Sequence, residues 1–181
     1  MSCYAERGDA NQTLELLETL KEYGLTPDAN TYSFGIEALG KDLHRRKKKD
    51  DRSRVHRNLD LASSILTMME EDGISPSADV VRNYVELLCL TEEISTATSV
   101  VDDFLSNGET KCVNNKTLYR VALANVEAGN LEEGKRLASL TSEVIPVLHR
   151  KIRSMEQRQL YVKQRGISTG KKSRKFKKHQ S

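Results

Sequence analysis

The fold is decided by two short stretches, Gly24-Leu25-Thr26-Pro27 and Gly73-Ile74-Ser75-Pro76, which interrupt otherwise helical sequence. Each follows apolar residues at helical spacing, as in the run Ala62, Ile65 and Met69 before the second stretch. Glycine favours the left-handed conformation that ends a helix, and proline cannot continue one. Each stretch is therefore predicted to end one helix and lead into the next.

The spacing of equivalent residues indicates a repeat. Ala62 and Ala97 are 35 residues apart, as are Gly73 and Gly108, and Ala97 and Gly134 are 37 apart. Gly24 and Gly73 are 49 apart, which exceeds 35 by 14 residues. Fourteen residues is also the length of the basic stretch His44–Arg57, so one repeat carries an insertion of that size. A period in the thirties with helix–turn–helix content predicts an α-solenoid.

The predicted fold class is all-α, an α-solenoid of helix–turn–helix repeats of about 35 residues, with a C-terminal capping helix and a disordered basic tail. First helices are expected at Ala29–Leu43, Ala78–Leu90 and Asn115–Ala128, and second helices at Leu59–Glu71, Ile94–Leu105 and Leu131–Glu143. The repeats cover residues 1–143, divided as a partial unit 1–28, then 29–77 with the insertion 44–57, 78–114 and 115–143. The capping helix covers 144–165, where Leu148, Ile152 and Met155 form an apolar stripe, and the tail covers 166–181.

One position of the second helix carries only small residues: Thr13, Ala62, Ala97 and Gly134. Small side chains let two helices approach closely, while larger apolar residues on either side fill the seam. We therefore expect this position to be buried between the two helices of each unit.

The chain's net charge of +3, from 29 basic and 26 acidic residues, conceals a strong division. Residues 145–181 hold twelve Lys or Arg and one acid, Glu156, and carry +11. The stretch His44–Arg57 holds eight basic and two acidic residues and carries +6. The remaining residues therefore carry −14, so the sequence describes an acidic body with two basic additions.

Several classes of protein are disfavoured. No apolar run approaches the length of a membrane span, so no membrane partner is expected. Three scattered cysteines without a CxxC pair argue against a disulfide framework, and Cys89 reads as a small core residue. The histidines lie among Lys and Arg, which disfavours a metal site. No nuclease, deaminase or phosphate-loop motif occurs, so the chain is expected to be non-catalytic, without a cofactor or small-molecule substrate.

The run Gly24-Leu25-Thr26-Pro27-Asp28-Ala29-Asn30-Thr31-Tyr32-Ser33 resembles the repeat junction of the pentatricopeptide repeat family, in its P-type form. Leu61-Ala62 through Ser75-Pro76 looks like the family's second helix and exit, and Ala128-Gly129-Asn130-Leu131 resembles its inter-helix turn, with Gly134 where alanine is usual. The tetratricopeptide repeat has a similar size, but its Trp-containing opening is absent. The resemblance covers about residues 1–143.

The resemblance implies binding of single-stranded RNA, one base per repeat, by two or three side chains on each unit. One reader follows the aromatic position of the first helix, and the other is the last residue of the repeat. The implied RNA-binding residues are Asp28, Asn30, Ser33, Ser77, Asp79, Arg82, Asn114, Lys116 and Tyr119. Arg82 and Tyr119 are bulkier than usual readers and could stack on bases or contact phosphate instead.

Phosphate contacts are expected outside the acidic repeats, which attract RNA poorly. The candidates are Arg45, Arg46, Lys47, Lys48 and Lys49 in the insertion and Lys171, Lys172, Arg174, Lys175, Lys177 and Lys178 in the tail. The insertion is expected to be a mobile loop that either grasps phosphate or is a tolerated addition. The tail could equally be a nuclear localisation signal.

The resemblance alone implies a role in organellar RNA metabolism, in a mitochondrion or chloroplast. The alternative function is a helical scaffold in a larger ribonucleoprotein such as an organellar ribosome. Cys3 to Gly8 looks like the end of a first helix, so the array is expected to begin inside a repeat, with further repeats upstream.

Overall fold

The structure is a computed structural model that describes residues 1–45, 52–141 and 146–164. These residues form nine α-helices and one short 3-10 turn, and none of them lies in a β-strand. The helices are α1 (Ser2–Arg7), α2 (Ala10–Glu22), α3 (Ala29–Arg45), α4 (Arg52–Glu71), α5 (Ala78–Leu90), α6 (Ile94–Ser106), α7 (Asn115–Ala128), α8 (Leu131–Ser139) and α9 (Pro146–Gln164). The all-α prediction is confirmed.

The two glycine–proline stretches end helices as predicted. Gly24 and Gly73 have φ angles of 71° and 69°, in the left-handed region. The amide of each glycine donates to a carbonyl of the last helical turn, Lys21 O and Glu70 O, at 2.9 Å. Carbonyl groups that the helix leaves unpaired are thereby satisfied.

The helix bounds follow the prediction closely except at the start of α4 and the end of α8. Helices α5 and α7 begin and end at the predicted residues, and α6 extends one residue further. The expectation that α8 reaches Glu143 is wrong, because the helix ends at Ser139. There the amides of Leu140 and Thr141 donate to carbonyls three residues back, and the Thr141 hydroxyl donates to Ala138 O at 2.8 Å. These hydrogen bonds to residues three positions back replace the α-helical bonds to residues four positions back, so the α-helix ends.

The expectation of a mobile loop over the whole basic insertion is wrong at both ends. His44 and Arg45 are the last two residues of α3. Residues 52–57 form the first turns of α4. Arg57 donates to Asn11 Oδ1 at 2.9 Å, and the Arg54 guanidinium lies 3.9 Å from the Asp42 carboxylate. Because polar contacts hold these turns against α2 and α3, the helix begins earlier than its apolar pattern suggested. The rest of the predicted loop, 46–51, lies outside the described residues.

The helices pack in a regular order. Each odd-numbered helix contacts the next one: α1 with α3, α3 with α5, α5 with α7 and α7 with α9. In the part of the chain that the structure describes, the backbone of each even-numbered helix comes close only to those of the odd-numbered helices before and after it. Within the described part of the chain, the backbones of no two even-numbered helices come close. The odd-numbered helices therefore form a continuous layer, and the even-numbered helices lie on the other side, where they contact one another through side chains.

The core consists of two apolar clusters that meet at α5. One cluster joins α2 to α5 and includes Leu17, Tyr32 and Ile65. The other joins α5 to α9 and includes Val85 and Leu137. Helix α5 contributes side chains to both clusters, so it occupies the centre of the helical stack.

The small-residue position is buried, as predicted. Thr13, Ala62 and Ala97 are fully shielded from solvent, and Gly134 is buried as well. At Gly134 a Cβ atom would lie 2.5 Å from the Val126 side chain. Glycine is required there because α7 and α8 cross more closely than an alanine allows.

Helix α9 covers the end of the layer. Leu148 and Ile152 are buried, and Met155 packs against the same cluster. Helix α9 contacts both α7 and α8. The predicted apolar stripe is thus the surface by which α9 binds the rest of the protein.

Candidate nucleic-acid interface

The candidate site lies along the first turns of α3, α5 and α7, on the layer of odd-numbered helices. These three helices run in the same direction, because an even-numbered helix returns the chain between each pair. Equivalent residues of their first turns are therefore brought side by side. We call this surface the odd-helix face; its polar residues include Asn30, Asp79, Arg82, Lys116 and Tyr119.

The three predicted readers that end a repeat each begin the next odd-numbered helix as its N-cap. Ser77 Oγ accepts the Val80 amide at 3.3 Å, and Asn114 Oδ1 accepts the Thr117 amide at 3.0 Å. Asp28 Oδ1 accepts both the amide and the hydroxyl of Thr31, at 2.7 and 2.6 Å. These hydrogen bonds lower the pKa of the Asp28 carboxyl below its ordinary value. Capping is a sufficient structural reason for Asp, Ser or Asn at this position.

Capping leaves part of each side chain available. In Asn114 the oxygen also accepts the Thr117 hydroxyl at 3.2 Å, while the amide nitrogen makes no hydrogen bond to a described residue. A donor fixed at the start of a helix by its own carbonyl is already oriented before a ligand arrives. The same geometry that caps α7 can therefore present a base-reading group.

Ser33 lies inside the contact between α3 and α5 and is only 5% exposed. The side-chain amide of Asn83 donates to Ser33 Oγ at 3.0 Å and reaches the Ser33 carbonyl at 3.3 Å. A base could reach this hydroxyl only by displacing Asn83. The structure therefore separates Ser33 from the other residues assigned to base reading.

Arg82 and Tyr119 occupy the position equivalent to Ser33 on α5 and α7, and both are half-buried. The Arg82 guanidinium pairs with the Asp79 carboxylate at 3.0 Å, one helical turn earlier. Tyr119 packs its ring against the cluster between α5 and α9. A flat guanidinium and a partly exposed ring on neighbouring helices are groups on which unstacked bases can stack.

Asn30, Asp79 and Lys116, at the second residue of each helix, are exposed. They lie beside the capping residues. Their side chains are neutral on α3, negative on α5 and positive on α7. Lys116 belongs to this row, and Arg82 lies one turn after Asp79, which neutralises it. The described part of this face therefore offers little net attraction to phosphate.

Sequence reasoning missed the residues that join neighbouring odd-numbered helices. Arg120 on α7 donates to Glu86 on α5 at 2.8 Å, and His44 at the end of α3 lies 4.0 Å from the other oxygen of Glu86. Arg120 follows Asn83 by 37 residues, one of the repeat spacings. Asn83 and Arg120 each donate a hydrogen bond to the preceding odd-numbered helix. Their repeat spacing is the signal from which this polar position could have been predicted.

The predicted phosphate contacts lie at or beyond the limits of the described chain. Arg45 is the last residue of α3, and its side chain is not described. The other candidates lie outside the described residues: Arg46, Lys47, Lys48, Lys49, Lys171, Lys172, Arg174, Lys175, Lys177 and Lys178.

A second polar cluster holds α2, α3 and α4 together. The Lys21 ammonium lies 3.0 Å from Asp72, and the Tyr32 hydroxyl donates to the same carboxylate. These two donors lower the pKa of Asp72, and the Asp72 carboxylate raises the pKa of Lys21. The predicted aromatic position of the first helix is thus a buried anchor, since the Tyr32 side chain is fully enclosed.

Cys89 lies buried in the cluster between α5 and α9. Burial raises the pKa of the Cys89 thiol to about 11, which suits a core residue rather than a nucleophile. Over the same residues, no cluster of three His, Cys, Asp or Glu side chains could hold a metal ion. Of the helices in the described ranges, none combines the length and apolarity needed to cross a bilayer.

No protein-family model matches this chain, and no curated protein matches it either.

Proposed function

We propose that this protein binds single-stranded RNA without catalysis, through the odd-helix face of a pentatricopeptide-like α-solenoid. The observation that carries the proposal is the alignment of α3, α5 and α7, which brings capping and first-turn polar residues into one row at the repeat spacing. An organellar role in RNA processing, stabilisation or translation is part of the proposal and depends only on the sequence resemblance.

The repeat architecture is supported by the order of helix contacts. Odd-numbered helices stack on one another, and every even-numbered helix packs against its two neighbours in the chain. Such nearest-neighbour packing is typical of solenoids, where each unit contacts only adjacent units. The small residues buried at one helix position also recur at the repeat spacing.

The proposed binding mode combines stacking with limited reading of base edges. Tyr119 and Arg82 provide surfaces for stacking, and Asn114 and Asp28 provide polar groups held in place as helix caps. The face carries balanced charge in the described ranges, so the affinity for phosphate must come mainly from the basic insertion and tail.

The test is the affinity of the full chain for a short fluorescent single-stranded RNA of random sequence. Replacing both Arg82 and Tyr119 with alanine should weaken binding at least about tenfold, because stacking on an aromatic side chain contributes roughly 1–3 kcal/mol per base. The matched control replaces Tyr23 and Arg158, both exposed and outside the odd-helix face. The control should bind like the unaltered protein.

A variant in which the six Lys and Arg residues of 166–181 become glutamine separates the proposal from its alternative. It should reduce the salt dependence of binding, by about 0.7 in the logarithmic slope for each phosphate group that the tail no longer neutralises. If this variant loses all binding and the Arg82/Tyr119 variant loses none, the helices do not contact RNA. The protein is then a scaffold that holds RNA only by its tail.

A further inference from the structure

A cavity of about 560 Å³ opens between α4 and α6, on the side of the even-numbered helices. Its walls are apolar and include Leu66 and Met69 of α4 and Val100 and Phe104 of α6. The connection between α4 and α5 closes one end with Ile74. Three carboxylates, those of Glu70, Asp103 and Glu109, lie on its rim. We call this feature the α4–α6 groove.

The groove is open because α4 and α6, over their described residues, lack an ion pair of the kind that joins the other even-numbered helices. Lys21 of α2 pairs with Asp72 at the end of α4 at 3.0 Å. Arg136 of α8 pairs with Asp102 of α6 at 2.8 Å. Between α4 and α6 no ion pair joins residues that the structure describes.

The repeat spacing explains the missing bridge. Glu70 follows Lys21 by 49 residues, and Asn107 follows Asp72 by 35. A carboxylate and an amide thus replace the ammonium and carboxylate of the preceding pair, and both line the groove. The substitution removes the attraction that would draw α4 and α6 together and leaves negative charge at the opening.

The charge of the rim defines the ligand. Glu70, Asp103 and Glu109 make no ion pair with any described residue, and all three are exposed. Helices α2 and α4 carry further exposed acids, among them Glu15 and Glu71. A surface of this sign repels nucleic-acid phosphate and attracts Lys and Arg.

We propose that the α4–α6 groove docks a segment of a partner protein that carries one bulky apolar side chain between Lys or Arg residues. The apolar side chain enters the groove, and the cations pair with the rim carboxylates. The groove volume of about 560 Å³ lies within the range of about 300–1,000 Å³ found for small-molecule pockets, so the groove has room for one bulky side chain.

This groove is separate from the odd-helix face. On α5, Val80, Val81 and Tyr84 line the groove, and Val81 is only 2% exposed. Arg82 lies two residues from Val80 and from Tyr84, which is about 200° around the helix. A protein in the groove and an RNA on the odd-helix face therefore do not compete for the same surface.

The test uses a fluorescent synthetic peptide with one phenylalanine flanked by lysines, and measures its affinity for the full chain. Val100→Phe should fill the groove and weaken binding about tenfold or more, because the peptide's aromatic ring can no longer be buried there. The triple variant Glu70→Gln, Asp103→Asn and Glu109→Gln should also weaken binding about tenfold. It changes only exposed side chains without ion-pair partners among the described residues, so it remains informative if Val100→Phe does not fold.

The matched control is Glu18→Gln, Glu22→Gln and Asp60→Asn, which removes the same charge from exposed positions outside the groove. The proposal is overturned if this control loses as much affinity as the rim variant, or if a peptide with serine in place of phenylalanine binds equally well. Sedimentation of the protein alone gives a further outcome. Self-association that Val100→Phe abolishes would make the occupant a second copy of this chain and would also overturn the proposal.

Discussion

Single glycines in this protein have opposite roles that sequence alone does not distinguish. Gly40 and Gly134 both lie inside helices, where glycine is less favourable than alanine by about 0.5–1 kcal/mol. A Cβ atom on Gly40 would meet no heavy atom within 4 Å, whereas one on Gly134 would meet Val126 at 2.5 Å. Only Gly134 is required by the packing of two helices.

Gly134→Ala should destabilise the protein by about 1–3 kcal/mol, since the added methyl group overpacks the contact between α7 and α8. Gly40→Ala should stabilise it by about 0.5–1 kcal/mol through helix propensity alone. Urea denaturation midpoints measure both effects. Stabilisation by Gly134→Ala would contradict the close crossing of α7 and α8.

The carboxylate of Asp72 should make stability depend on pH. Its pKa is lowered in the folded protein by the Tyr32 hydroxyl and the Lys21 ammonium. The stabilisation is therefore complete above the unfolded pKa of about 4 and is lost as the pH falls through the lower folded pKa. Asp72→Asn should reduce the melting temperature at pH 7 and have a smaller effect in acid.

The control for this prediction is Glu71→Gln, which changes an exposed neighbouring carboxylate with no ion pair among the described residues. It should leave the melting temperature nearly unchanged at both pH values. The prediction is contradicted if the melting temperatures of Asp72→Asn and the unaltered protein differ by the same amount at neutral and acid pH. The charge of Asp72 would then not be the source of the stabilisation.

At the scale of the helix, most of the architecture was predictable because the helix-ending residues and apolar spacings act locally. The bounds of α5 and α7 follow from the pattern of their own residues. The early start of α4 could not be predicted from its own residues, because contacts of Arg57 and Arg54 with other helices hold its first turns. Local sequence does not report such tertiary contacts.

The candidate site was predictable in position but not in accessibility. The repeat register placed Ser33, Arg82 and Tyr119 at one position, and the structure shows that Ser33 is enclosed by Asn83. Whether a first-turn side chain faces solvent depends on the next odd-numbered helix. That neighbour lies 49 or 37 residues further along the chain, beyond the range of any local pattern.

Asn114, the N-cap of α7, should contribute both to the stability of the fold and to the choice of RNA base. Asn114→Ala removes the acceptor for the Thr117 amide and should cost about 1 kcal/mol, while Asn114→Ser should retain most of the stability. Under the proposed function, Asn114→Ser should alter base preference, since it removes the amide donor. Denaturant unfolding and binding to four homopolymeric RNAs measure the two effects. Equal stability of the alanine and serine variants would contradict the capping role.

For the whole molecule, the net charge of +3 is a cancellation between surfaces with different roles. The even-numbered helices present acids that repel phosphate, and the odd-helix face is balanced by pairs such as Arg82 with Asp79 and Arg120 with Glu86. Most of the Lys and Arg residues, 20 of 29, lie in the insertion and in residues 145–181. Sequence arithmetic predicted this division, but only the helix packing shows that the exposed acids of α2 and α6 lie away from the odd-helix face.

The central claim is that single-stranded RNA lies across the first turns of α3, α5 and α7. Photocrosslinking with RNA that carries 4-thiouridine, followed by mass spectrometry of the adducts, tests it most directly. We predict adducts on peptides from α5 and α7 that include Arg82 and Tyr119, and their disappearance when both residues are replaced with alanine. Adducts confined to residues 165–181, or to the even-numbered helices, would contradict the account.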